Sequence, residues 1–185
     1  EVCRMRNIHT IIFINKLDRE GKDAFDLLDE IEQKLGLKVT PLSLPIGMGY
    51  DFKGIFNIWE QNIQLFSDEQ KQTIGKKLTF NSVSDPKLEK AIGSDHLELL
   101  KEELELIEVV YPKFNKEAYL EGKLNPVLFG SALNNFGIEE LLNCFIEIAP
   151  EPLPKASEER MVNPDEKKFS GFVFKIHANM DPNHR

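Results

Sequence analysis

The sequence predicts an α/β fold in which a buried parallel sheet carries an inserted subdomain. Ile11, Ile12, Phe13 and Ile14 form a continuous apolar, largely β-branched run, the pattern of a strand buried on both faces of a parallel sheet. Val127, Leu128 and Phe129 repeat that pattern late in the chain. Asn15 and Ser131, just beyond the two runs, lie 116 residues apart (131 − 15). That is too far for one helix and two short connections, so a subdomain over residues 40–124 is expected between them.

The bulk numbers narrow the function. The chain has 185 residues, 41% of them hydrophobic, enough for one good core and part of another. A formal net charge of −8 excludes broad electrostatic attraction to nucleic acid or anionic membrane, so no direct DNA contact is expected. Contact with RNA would need a local patch or parts outside these residues. Cys3 and Cys144 have no metal-ligand or redox-pair neighbour and read as free thiols in a reducing compartment. His9, His96, His177 and His184 are scattered, so no metal site is expected. No apolar run approaches a membrane span and no signal peptide is visible, which predicts a soluble cytoplasmic protein. Glu1 stands where an initiator Met would, and the chain stops at Arg185 just after a new strand pattern begins. The sequence therefore reads as an interior piece of a longer protein.

In chain order, residues 1–6 read as the tail of a helix. Asp23 is placed to cap a helix running to Leu35, with Leu28, Ile31 and Leu35 as its apolar stripe and Gly36 as a left-handed stop. Residues 39–46 are extended, and their prolines suit an edge strand. Gly47, Gly49 and Gly54 mark turns; they lack a Lys-Ser or Lys-Thr pair and precede a strand, so they are not a phosphate loop. Residues 54–66 predict two short antiparallel strands, and residues 67–85 a polar, irregular stretch. Residues 86–92 suggest a helical turn. Ser94 then caps a long helix over 95–110, with Leu97, Leu100, Leu104 and Ile107 inward and Glu98, Glu102 and Glu105 on a solvated face. A shorter helix follows around 116–121. After the second strand, Asn134, Asn135 and Gly137 turn the chain into a helix over 138–148, with Leu141, Leu142 and Phe145 inward. Pro150, Pro152 and Pro154 make a stiff linker, and Phe172, Phe174 and Ile176 alternate in a strand of a separate domain.

The chemistry concentrates where the two buried runs end. In open α/β sheets, ligands bind beyond the carboxyl ends of the strands. The first run breaks into Asn15, Lys16 and Asp18, an N-K-x-D pattern that looks like the base-recognition motif of GTP-binding proteins. Guanine shows its N1–H and exocyclic amino group as adjacent donors, and an ionised carboxylate accepts through two oxygens. Asp18 can therefore take both protons, a match that adenine does not offer. The stem of Lys16 can lie across one face of the base, and Asn15 has the donor and acceptor needed to tie neighbouring loops together. A plain surface turn after a buried strand is the alternative reading. The second run ends in Gly130, Ser131, Ala132 and Leu133. There the Ala132 N–H can meet a base oxygen at C6, and the Ser131 hydroxyl can hold Asp18 in its two-pronged pose.

I-N-K-L-D-R, L-P-I-G, F-K-G-I-F, a helical insert, G-S-A, a Pro-rich linker and F-V-F-K-I together resemble a ribosomal translocation-factor-type GTPase. That group includes elongation factor G and the class II bacterial peptide-chain release factor. A-L-N-N-F-G-I, I-A-P-E-P and F-K-I-H-A-N-M-D-P-N-H-R are more similar to the release factor. The resemblance covers nearly the whole chain and is weakest over residues 67–95.

It implies the C-terminal part of a doubly wound P-loop-type G domain at 1–39 and 125–150, with an inserted α+β subdomain at 40–124. A linker at 151–168 and the start of a β-barrel domain at 169–185 follow. It also implies that GTP or GDP is the ligand and that the ribosome and class I release factors are partners of a monomer. GTP hydrolysis in the full-length protein would then drive the class I factors off. By position, Asn15, Lys16 and Asp18 would recognise the base, and Ser131, Ala132 and Leu133 would close the pocket. No catalytic residue and no metal ligand is expected in this stretch. It lacks a G-x-x-x-x-G-K-[ST] pattern, a Mg²⁺-binding Thr or Asp motif and a residue to orient the attacking water. Those parts, and Mg²⁺ with them, are expected before Glu1. Two other readings stay open, an elongation factor G-like translocase and a non-hydrolysing G-domain scaffold; the intact Asn15, Lys16 and Asp18 set argues against the scaffold.

Overall fold

The apolar run ahead of Asn15 and the one ahead of Gly130 pair with each other. The computed structural model describes residues 2–6, 8–65, 78–80 and 82–176. In chain order these begin with α1 (Val2–Met5), β1 (Ile12–Ile14), α2 (Ala24–Leu35), β2 (Val39–Pro41) and β3 (Ser43–Ile46). A 3₁₀ turn (Gly49–Asp51) leads to β4 (Gly54–Asn57), β5 (Asn62–Leu65) and β6 (Leu78–Phe80). Then come α3 (Pro86–Ile92), α4 (Ser94–Val110), α5 (Lys116–Leu120), β7 (Asn125–Phe129) and α6 (Ile138–Ile148). A short ribbon of β8 (Lys155–Ala156) and β9 (Met161–Val162) closes the series. Residues 1–149 and 150–185 form two separate compact units.

β7 is the centre of a three-stranded parallel sheet ordered β1-β7-β2. Period-two alternation turns Val127 and Phe129 to one side and Leu128 to the other. Val127 and Phe129 join a core with Ala24 and Leu28 of α2, whereas Leu128 joins Tyr119 of α5 and Cys144 and Ile148 of α6. Both faces are thus covered by helices, as the uninterrupted apolar runs require.

The Pro-punctuated segment makes two edge strands of different sheets. Thr40 and Pro41 pair in parallel with Pro126 and Val127, so the parallel sheet takes in the first two residues of the expected insert. At Leu42 the chain changes sheets. Its N–H donates to the Val127 carbonyl at 2.8 Å, while its own carbonyl accepts from Ile58 N at 2.8 Å. β3 then edges an antiparallel sheet ordered β3-β4-β5-β6. Ser43 Oγ accepts from the Phe129 N–H at 2.9 Å, supplying the partner that a departing strand would leave missing.

Several expectations need correction. Residues 67–85 are not irregular throughout, since β6 pairs with β5 (Ile63 with Phe80); residues 66–77 and 81 lie outside the described ones. Asp23 caps α2 through Phe25 N, and Gly36 ends it at φ 62°, but Leu35 at the last turn is 59% exposed. Leu28 and Ile31 of the expected stripe do face the core, joined by Ala24, Phe25 and Leu27. Ser94 is the first residue of α4 rather than its cap, and its hydroxyl donates to Asp95 Oδ1 at 3.0 Å. In α6 the inward positions are Glu140, Leu141, Cys144 and Ile148, while Leu142 and Phe145 are exposed. The inward face thus lies about one position from the expected one, although the helix starts at Ile138 after Gly137 as expected. In the second unit, residues 169–176 carry no strand and are exposed; the pairing there is the β8–β9 ribbon, inside the expected linker. The rest of the expected start of a β-barrel domain, residues 177–185, lies outside the described residues.

Candidate functional site

The register of β1 against β7 decides what meets at their ends. Ile14 pairs with Phe129, so Asn15 and Gly130 leave the sheet side by side at its carboxyl edge. Gly130 N donates to Ile14 O at 2.9 Å, and Leu17 N donates back to Gly130 O at 3.2 Å. Leu17 is buried at 2% exposure and anchors the first loop. Its neighbours Lys16 and Asp18 are therefore turned outward, exposed and half-buried respectively. Lys16 adopts φ 73°, a left-handed conformation uncommon for a residue with a β-carbon.

The second loop is a short closed turn. Ser131 and Phe136 exchange N–H···O bonds of 2.9 Å in both directions, and Asn134 N donates to Ser131 O at 3.2 Å. Gly130 is required for the approach of the two ends: a β-carbon there would lie 2.2 Å from the Phe136 carbonyl oxygen and 2.6 Å from the Phe13 ring.

Two hydrogen bonds made by side chains also join the loops. Ser131, fully buried, donates from Oγ to Asp18 Oδ1 at 2.5 Å. Asn15 Oδ1 accepts from Ala132 N at 2.8 Å and from Lys16 N at 2.8 Å. Five of the six residues singled out in the sequence are thus linked directly, and Leu133 sits beside them at 82% exposure. One expectation is refined. The Ala132 N–H is engaged by Asn15, so an incoming carbonyl oxygen would have to share that donor.

Sequence reasoning missed Asn134, whose Nδ2 donates to Ser131 Oγ at 3.1 Å. The available signal was an asparagine three residues after a serine at the mouth of a strand, a spacing that lets its side chain fold back onto the loop.

The arrangement presents a half-buried carboxylate with one oxygen tethered, a flanking aliphatic stem and, on one rim, a main-chain N–H already donating to Asn15. Such a set suits a flat, polar-edged ring with adjacent donors, since a carboxylate accepts about four hydrogen bonds and Ser131 uses one. Among the described residues, no group of three or more His, Cys, Asp or Glu could hold a metal ion, and no helix is long and apolar enough to cross a membrane. A family model described as the Elongation factor Tu GTP binding domain matches residues 1–151, a span that contains both loops.

Proposed function

The chain belongs to the family of elongation factor Tu GTP binding domains, a GTP-binding family of translational GTPases, and from that premise we propose that the loops after β1 and β7 form its guanine-reading pocket. The Ser131–Asp18 hydrogen bond carries this reading. It fixes one carboxylate oxygen from behind and leaves lone pairs of the group to accept N1–H and the amino group of guanine. Lys16 lies along a face of the base, and the C6 oxygen shares the Ala132 N–H with Asn15 Oδ1, which holds Ala132 in place. Leu133 covers the rim. GTP supplies the hydrolysable γ-phosphate; these residues bind and orient its base. In the full-length protein hydrolysis would draw on a phosphate loop and Mg²⁺, for which residues 1–185 show no motif.

The reaction served is termination: the protein acts on the ribosome and promotes departure of class I release factors. The F-K-I-H-A-N-M-D-P-N-H-R ending supports that choice over a translocase of the elongation factor G kind. From Leu42, where the chain leaves the parallel sheet, to Leu124 the residues act as an insert between the two halves of the G domain. Equilibrium competition on the full-length protein tests the pocket, with GDP expected to outcompete ADP by roughly a hundredfold or more. Equal competition by ADP would remove the guanine assignment. The termination role predicts GTP-dependent release of a class I factor from post-termination ribosomes. Stimulated translocation with no such release would replace it with the translocase reading.

A further inference from the structure

Behind the groups that would touch the base stands a third side chain. Asn134 Nδ2 donates to Ser131 Oγ at 3.1 Å, and Ser131 Oγ donates to Asp18 Oδ1 at 2.5 Å. A serine hydroxyl owns one proton and two lone pairs, and an ionised carboxylate only accepts. The proton therefore belongs to the Asp18 contact, and Asn134 must present its amino group, not its carbonyl, to the hydroxyl oxygen. With Ser131 fully buried, bulk water is not there to take over that task. Asn134 is itself held, because its N–H donates to the Ser131 carbonyl inside the closed 131–136 turn.

We infer that Asn134 is a positioning residue for base recognition, locking the Ser131 hydroxyl rotor so that the Asp18 carboxylate keeps its edge toward the exocyclic amino group of guanine. The inference rests on the guanine pocket proposed above. Donation into Oγ also polarises the O–H toward Asp18, and chained hydrogen bonds of this kind strengthen one another. Replacing Asn134 by Asp reverses the polarity. An acceptor now faces the hydroxyl and competes for its single proton.

Inosine diphosphate lacks only the amino group, so the ratio of IDP to GDP dissociation constants reads the contact of Asp18 with that group. General losses in loop stability or repulsion of the diphosphate affect both ligands alike and cancel. In the full-length protein, Asn134→Asp should cut the preference for GDP over IDP about fivefold or more, and Asn134→Ala about two- to threefold. Because Asn134 acts through Ser131, adding Asn134→Asp to Ser131→Ala should change the ratio less than about twofold. Equal losses of GDP and IDP affinity in the single variants, or full additivity in the double variant, would overturn the inference. Should Asn134→Asp not fold, the Ala variant and its own cycle with Ser131→Ala decide the matter. A wild-type protein with no preference for GDP over IDP would instead sink the pocket itself, a result distinct from failure of the Asn134 role.

Discussion

Lys16 holds φ at 73°, a region where a residue with a β-carbon pays roughly 1 kcal/mol or more relative to glycine. The neighbouring bonds over-determine it: Lys16 N donates to Asn15 Oδ1, and Arg19 N donates to Lys16 O at 3.0 Å. The left-handed turn lets Leu17 go inward while the flanking side chains go outward. Lys16→Gly is expected to raise stability by about 0.5–1 kcal/mol in denaturant melts while weakening GDP binding several-fold, because the stem over the base is gone. A variant that gains stability and binds GDP as wild type does would separate the lysine from recognition. At this scale the sequence was legible where residue type states the chemistry. Asn15, Asp18 and Ser131 are singled out that way, and the structure bonds Ser131 to Asp18 and Asn15 to Ala132. Lys16's strain was not legible, since nothing in a Lys announces a dihedral angle, and Asn134's donation was signalled only by its spacing of three residues from Ser131.

Ser43 shows how an element is held where two sheets part. β7 loses its β2 neighbour beyond Pro41, and the Phe129 N–H is then satisfied by the Ser43 hydroxyl inside the core. Ser43→Ala leaves that buried N–H without its partner and should cost about 1–3 kcal/mol, readable as a lower urea midpoint at unchanged slope. Ser43→Thr keeps the hydroxyl and should lose less. The antiparallel sheet is tied to the opposite side by a buried side-chain bond from Gln64 to Glu140 of α6. The buried β7 and the capped α2 were legible because an apolar run, an Asp cap and a Gly stop act locally, whereas β1, expected to be buried on both faces, is a half-buried edge strand. The phase of α6 was not. Leu142, Phe145 and Cys144 are all apolar enough to face inward, and only packing against Leu128 and Tyr119 marks out Cys144 as the buried one. β6 was missed because Leu78, Thr79 and Phe80 read as a strand only with β5 beside them.

Across the first compact unit, one core runs from Leu17 and Leu28 through Val127 to Leu44, Ile63, Leu88 and Leu100. The residues between the two pocket loops therefore share packing with them rather than standing apart. A cleft of about 130 Å³ on this unit is lined by Asp23, Met48, His96 and Glu103 among others. There burial, and secondarily the Asp23 carboxylate, push the Glu103 carboxyl up from 4.5 to about 7. Between those two pH values the folded chain holds a proton that the unfolded chain has released. The stability this group gives is complete below about pH 4.5 and is lost as pH rises to about 7. Glu103→Gln should stabilise the protein at pH 7.5 by on the order of 1 kcal/mol, allowing for partial exposure, and change little at pH 4. Urea titrations at the two pH values check the sign. A larger gain at pH 4 than at pH 7.5 would contradict it.

The central claim is that Asp18 reads guanine, and exchanging the acceptor for a donor tests it most directly. Asp18→Asn keeps the shape but turns one arm into an N–H₂ that meets the guanine amino group donor to donor. Xanthine keeps N1–H and has a carbonyl at C2, so the same amide can pair with both. Losing a charge-assisted contact and leaving a polar group unpaired should cost about 2–5 kcal/mol for guanine. Competition binding of GTP and xanthosine triphosphate to the full-length wild type and variant is the measurement. The prediction is a loss of GTP affinity of roughly a hundredfold or more, with xanthosine triphosphate gaining over wild type. An Asp18→Asn protein that still prefers GTP as strongly as wild type would show that Asp18 does not touch the base, and the pocket would have to be placed elsewhere.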